Sequence, residues 1–107
     1  MGSVTAINTF SLRPGVARAE FEAFSRTQDR PNCLAFDVVQ SFEVFVSKED
    51  NSRVDIVELM TVTSWDEWVA VRDTAPALKS VVARFEELVD VESVYTVLTR
   101  RASDVED

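Results

Sequence analysis

Every extended stretch in the first two-thirds of this sequence carries apolar side chains at both parities. Ala6 and Phe10 occur with Ile7, Phe42 and Val44 with Val39 and Phe45, and Ile56 and Met60 with Val57 and Leu59. Successive side chains of a strand point to opposite faces of its sheet. An antiparallel sheet with one face in water should alternate apolar with polar, so a sheet made of these strands needs two covers. A chain of 107 residues has room for one domain with a single layer of helices, which covers one face. The second cover is most simply the same sheet of an identical subunit, so a homodimer is expected.

Turn and cap signals set the order of elements. Val4 to Phe10 is rich in β-branched residues and runs into Arg13-Pro14-Gly15, which predicts a first strand and a turn. Phe21 and Phe24 recur at i, i+3 with Glu20, Glu22 and Arg26 facing elsewhere, which predicts a helix from Ala17 to Gln28, ended by Pro31. Two further strands, Val38 to Val46 and Val54 to Val62, flank a polar hairpin loop over residues 47–52.

Ser64 and Glu67 have the spacing of a capping box and start a helix at Trp65. Pro76 breaks that helix and suits the first turn of another, on which Leu78, Val81, Val82, Phe85 and Leu88 share a face. The run Val91 to Thr99 closes the order as βαββααβ, a split βαβ plan. The fold expected is therefore α+β and ferredoxin-like: a four-stranded antiparallel sheet with helices on one face. Residues 1–101 form the domain and residues 102–107 a disordered acidic tail.

Composition narrows the function. Apolar residues make up 46% of the chain and charged residues 28%, the balance of a globular protein. The net charge of −8 has the wrong sign for tracking a phosphate backbone, which argues against nucleic acid and anionic membrane as partners. A single cysteine forms no internal disulfide, and no leader pattern or run of about eighteen apolar residues occurs, so a cytoplasmic protein is expected.

Histidine is absent altogether. That removes Ser-His and Cys-His nucleophile pairs and the usual zinc and non-haem iron sites, so no metal is expected and acid–base chemistry must rest on carboxylates. With Gly2 and Gly15 the only glycines, there is no phosphate-cradling loop either. Cys33 stands without a neighbouring base and reads as a small buried hydrophobe.

Two carboxylates stand out. Asp29 closes the first predicted helix, where the negative end of the macrodipole would raise its pKa toward the range of a general acid or base. On local pattern it could equally form a solvated turn with Arg30 before Pro31. Glu58 shares its parity with Ile56 and Met60 and so points into an apolar layer, where a carboxylate needs a partner or a proton. It is either a core ion pair with Arg26, Arg30 or Arg72, or a functional group lining a cavity. Asn8, Gln40 and Tyr95 are candidates for the same face. Trp65 and Trp68, at i, i+3, either line an aromatic pocket or fill the core, and the same choice applies to Phe10, Phe36 and Met60.

The order of elements, with Thr9-Phe10-Ser11-Leu12-Arg13-Pro14-Gly15-Val16, Asp29-Arg30-Pro31-Asn32-Cys33, Val39-Gln40-Ser41-Phe42-Glu43-Val44 and Asp55-Ile56-Val57-Glu58, resembles the RedY-like proteins of the dimeric α/β-barrel superfamily. The likeness spans roughly Val4 to Thr99. It implies a bacterial natural-product enzyme without cofactors: a cyclase or dehydratase acting on a small aromatic, indole- or pyrrole-bearing intermediate of the carbazole or prodiginine type. Asp29 and Glu58 would move protons, and Arg30 and Asn32 would orient a carbonyl or hydroxyl. The superfamily also contains polyketide cyclases and cofactor-free monooxygenases, and a non-catalytic dimer that shelters a reactive hydrophobic intermediate is a third reading.

Overall fold

The structure is a computed structural model and describes residues 2–50 and 53–105. Strand β1 spans Val4–Phe10, β2 Val39–Val46, β3 Ile56–Val62 and β4 Tyr95–Thr99. They form one antiparallel sheet in the order β2-β3-β1-β4, with Asn8 opposite Glu58 on one side and Thr96 on the other. Helices lie against one face, giving the ferredoxin-like α+β arrangement. The last strand starts later than its pattern suggests, because Val91–Ser93 is a short 3-10 turn.

The first helical segment differs most from expectation. It runs as α1 (Arg18–Phe24), one π-turn (Ser25–Asp29) and α2 (Arg30–Leu34), straight through Pro31. Proline lacks an N–H and crowds the carbonyl four residues back, which normally ends a helix. Here the Arg30 N–H reaches the Ser25 carbonyl, five residues back, and this widened turn just before Pro31 lets the axis continue. Asp29 therefore sits inside a helical segment and not at its end.

Helix α3 (Trp65–Thr74) begins as expected, with the Glu67 N–H donating to Ser64 Oγ at 3.2 Å. After it, Pro76–Leu78 form a 3-10 turn leading into α4 (Lys79–Leu88), whose Val81 and Leu88 are buried. Arg18 ties α1 to the β2–β3 connection: its guanidinium donates to the Ser47 and Glu49 carbonyls and to Asp55 Oδ1, the last at 2.9 Å from Nη2. Asn51 and Ser52 of the expected hairpin loop lie outside the described residues.

Between sheet and helices, Phe10 meets Phe21 and Phe85 edge-to-face, with ring centroids 5.5 and 5.2 Å apart. Ala6, Ile56, Met60, Val62 and Phe42 bury the rest of this face. The opposite face has no cover among the described residues. It carries half-buried Ile7, Val57 and Leu59, and Phe45, Tyr95 and Val97 remain 49%, 66% and 40% exposed. Where a disordered tail is expected, Ala102–Asp104 form a 3-10 turn; Glu106 and Asp107 lie outside the described residues. Among the described residues no helix is long and apolar enough to cross a membrane.

Candidate active site

A cavity of about 390 Å³ opens between the sheet and the helices. Strands β1 and β3 contribute Asn8, Phe10, Glu58 and Met60 to its wall, and the helical segments contribute Asp29, Cys33, Trp65 and Trp68. Alternation along β1 and β3 turns these sheet residues toward the helices, as their parity predicts.

Glu58 is 4% exposed and its Oε2 has no hydrogen-bond partner among the described residues. Burial pushes its carboxyl well above the usual range and the negative charge of Asp29 pushes it further, against a hydrogen bond from the Asn8 side chain and the charge of Arg30. The Asn8 Oδ1 accepts from Thr96 Oγ1 at 2.6 Å, so a polar row crosses β4, β1 and β3 and ends on Glu58. None of the arginines expected as ion partners of Glu58 pairs with it. Arg26 and Arg30 both bond to Glu22, and Arg72 bonds to Asp73.

Asp29 is also buried, and its pKa is raised to about 6. Burial is the cause, opposed by the thiol of Cys33, which donates to Asp29 Oδ1 at 3.4 Å, and by the Arg30 guanidinium. The shift has the direction expected of a helix end, but the π-turn inside the helix produces it by burial. Burial likewise pushes the Cys33 thiol upward, with the charge of Asp29 adding to it, so this cysteine is a neutral donor and no thiolate. The site thus holds two buried carboxyls that are both shifted upward, Asp29 to about 6 and Glu58 well above its usual range.

The other expected residues lie outside the cavity wall, each for a local reason. Asp29 and Cys33, four apart, share the inward face of α2, while Arg30 turns to Ser25 Oγ and Glu22, and Asn32 donates to the Gln28 carbonyl. Phe36, after that helix, packs on the core from its rim. Gln40 occupies a β-bulge between Val39 and Ser41 that breaks the parity of β2, and it accepts from Ser3 Oγ at the surface. Tyr95 pairs with Thr9 on the uncovered face, and Thr96 takes the place beside Asn8. Cys33, Phe42, Arg72, Phe85 and Thr96 also line the cavity. A signal for Phe42 existed, since it shares a strand face with Val44, whereas Thr96 depended on a register that sequence does not specify.

The family model of the REDY-like protein HapK matches residues 4–101. The chain belongs to the REDY-like HapK family. Among solved structures it is similar to HapK from Hahella chejuensis, at 18% identity and a TM-score of 0.76, with 97% of each chain covered. It is also similar to SnoaB, a cofactor-independent oxygenase from Streptomyces nogalater, at 18% identity and a TM-score of 0.73, with 99% of this chain and 100% of that chain covered. A dimeric protein of unknown function and ferredoxin-like fold from Bacteroides fragilis NCTC 9343 matches at 18% identity and a TM-score of 0.67, covering 94% and 97%. At these identities the likeness establishes the fold of this REDY-like chain. No curated protein matches it.

Proposed function

We propose that this REDY-like chain is a cofactor-independent cyclase and dehydratase of bacterial natural-product biosynthesis, acting in the cytoplasm on an indole- or pyrrole-bearing intermediate. The observation that carries the reading is the placement of Asp29 and the unpartnered Oε2 of Glu58 in the wall of one largely apolar cavity. After ring closure, protonated Glu58 gives its proton to the departing hydroxyl while ionised Asp29 takes a proton from the neighbouring carbon. The C–O bond breaks, a ring double bond forms and water leaves. The proton on Asp29 then restores Glu58 for the next turnover. Such proton transfer contributes about 10²–10⁴-fold, and holding the flexible precursor folded contributes the rest.

The working unit in this reading is a homodimer, in which the uncovered face of the sheet packs against that of a second copy. The Bacteroides fragilis relative, named as dimeric, supports it.

Asp29→Asn and Glu58→Gln, each checked for folding and then given the pathway intermediate, test the assignment. The expected result is loss of the cyclised aromatic product. Full activity in both variants removes it. The likeness to SnoaB supports a second reading, a cofactor-free monooxygenase, and substrate-dependent oxygen uptake would favour it over cyclisation.

A further inference from the structure

The cavity wall is both aromatic and acidic. Phe10, Phe42, Trp65, Trp68 and Phe85 present aromatic surface to it. Among the described residues its ionisable oxygen acids are Asp29, Glu58 and Glu86, against one cation, Arg72, whose Nε already donates to Asp73 at 3.2 Å. The Arg30 guanidinium, which faces the carboxyl pair from α2, is held by Ser25 and Glu22 and does not line the cavity. Cys33 beside Asp29 is a hydrogen-bond donor engaged with that carboxyl.

An acceptor oxygen buried without a donor, such as Glu58 Oε2, is costly, and a ligand N–H removes the cost. Aromatic faces attract cationic nitrogen, and a desolvated carboxylate makes its strongest hydrogen bonds to a charged donor. A carboxylate-bearing ligand of the same shape would meet the like charge of Asp29, with Arg72, whose Nε is engaged by Asp73, the one guanidinium among the described residues of the cavity wall.

We propose that the cavity binds aromatic amines, their nitrogen donating to Glu58 Oε2, and rejects isosteric aromatic carboxylates. The inference rests on the proposed function only for the aromatic nature of the ligand. For the natural substrate it implies an intermediate that enters carrying its nitrogen as a cation or N–H donor and without a free carboxylate.

The chain has two tryptophans, Trp65 and Trp68, and both line the cavity, so their two indole N–H signals in a ¹H–¹⁵N spectrum report occupancy without turnover. Tryptamine and indole-3-acetate are titrated in parallel at pH 7. The expected result is that tryptamine moves the tryptophan signals with a Kd at least about tenfold below that of indole-3-acetate. In Glu58→Gln that preference should fall to roughly threefold or less, as an amide that can donate to a carboxylate replaces the acceptor. Equal or tighter binding of indole-3-acetate, tryptophan signals that neither probe moves, or an unchanged preference in a folded Glu58→Gln variant would overturn the proposal. Should that variant lose its signal dispersion, the wild-type comparison decides. A chain that turns over its intermediate yet binds both probes equally keeps the proposed function and loses this inference, whereas charge selection without turnover does the reverse.

Discussion

Burial raises the carboxyl of Glu58, on a central strand, and the negative charge of Asp29, on the π-turn, raises it further across a single cavity. Among the described residues neither forms an ion pair with an arginine or lysine, so burial outweighs the charge of Arg30 and both carboxyls are shifted upward. An ordinary core would gain stability by replacing such a pair, which is why buried carboxyls of this kind mark functional sites.

The shift of Asp29 from 3.8 to about 6 has a stability consequence of definite sign. Between those values the folded state binds more protons than the unfolded chain, so this residue's contribution is fully present below about pH 4 and is lost as pH rises through about 6. The cost at neutral pH is roughly 3 kcal/mol if the whole shift is converted. Asp29→Asn keeps the acceptor for Cys33 and abolishes the titration. Relative to wild type, the variant should gain stability from about pH 4 to about pH 6 and level off above it. Thermal unfolding of both proteins across that range checks it, and a pH-independent difference would contradict the burial of Asp29.

The uncovered sheet face predicts the oligomeric state. Ile7 and Leu59 are cross-strand neighbours at its centre, with Phe45, Tyr95 and Val97 exposed around them. Leu59→Asp places a charge where a second copy would bury it, a cost of several kcal/mol for an unpaired group. Light scattering at micromolar concentration should give two chains for wild type and one for the variant. A wild-type monomer would leave this apolar face without a function.

How far the sequence could be read followed from which quantities are local. Parity along β3 turned Glu58, Ile56 and Met60 inward, because alternation within one strand needs no knowledge of its neighbours. Ser64 and Pro76 marked helix ends for equally local reasons. Gln40 and Tyr95 were placed on the wrong side of the sheet because one bulged residue or one residue of register reverses a face, and neither leaves a mark in composition. The π-turn has no signature in the sequence, because Pro31 reads as a helix breaker unless the turn before it widens. That turn is also what faces Asp29 and Cys33 inward and leaves Arg30 and Asn32 outside.

Core packing near the site predicts a separation of stability from binding. Phe21 is fully buried, lies edge-to-face with Phe10, Phe24 and Phe85, and does not line the cavity. Phe21→Ala should cost about 3–5 kcal/mol by the removal of ring contacts and the void left behind. Urea unfolding measures it. A loss under about 1 kcal/mol would mean that the four-ring cluster does not hold helix to sheet as described.

Thr96 tests the polar row that ends on Glu58. Its hydroxyl donates to Asn8 Oδ1 at 2.6 Å, which commits that oxygen and leaves the amide hydrogens of Asn8 for the carboxyl opposite. A hydrogen bond to the ionised form lowers a carboxyl's pKa, and the Asn8 side chain does this for Glu58 against the larger effect of burial. Thr96→Val keeps the shape and removes the hydroxyl, so Asn8 loses the bond that orients it. The Glu58 carboxyl should then titrate at higher pH than in wild type, while Asp29, held by Cys33, should move little. Side-chain carboxyl ¹³C shifts followed from pH 4 to pH 9 read the two residues separately. Because Thr96 is exposed, the change in unfolding free energy should stay within about 1 kcal/mol. An unmoved Glu58 would show that Asn8 holds its orientation without Thr96, and the row would then begin at β1.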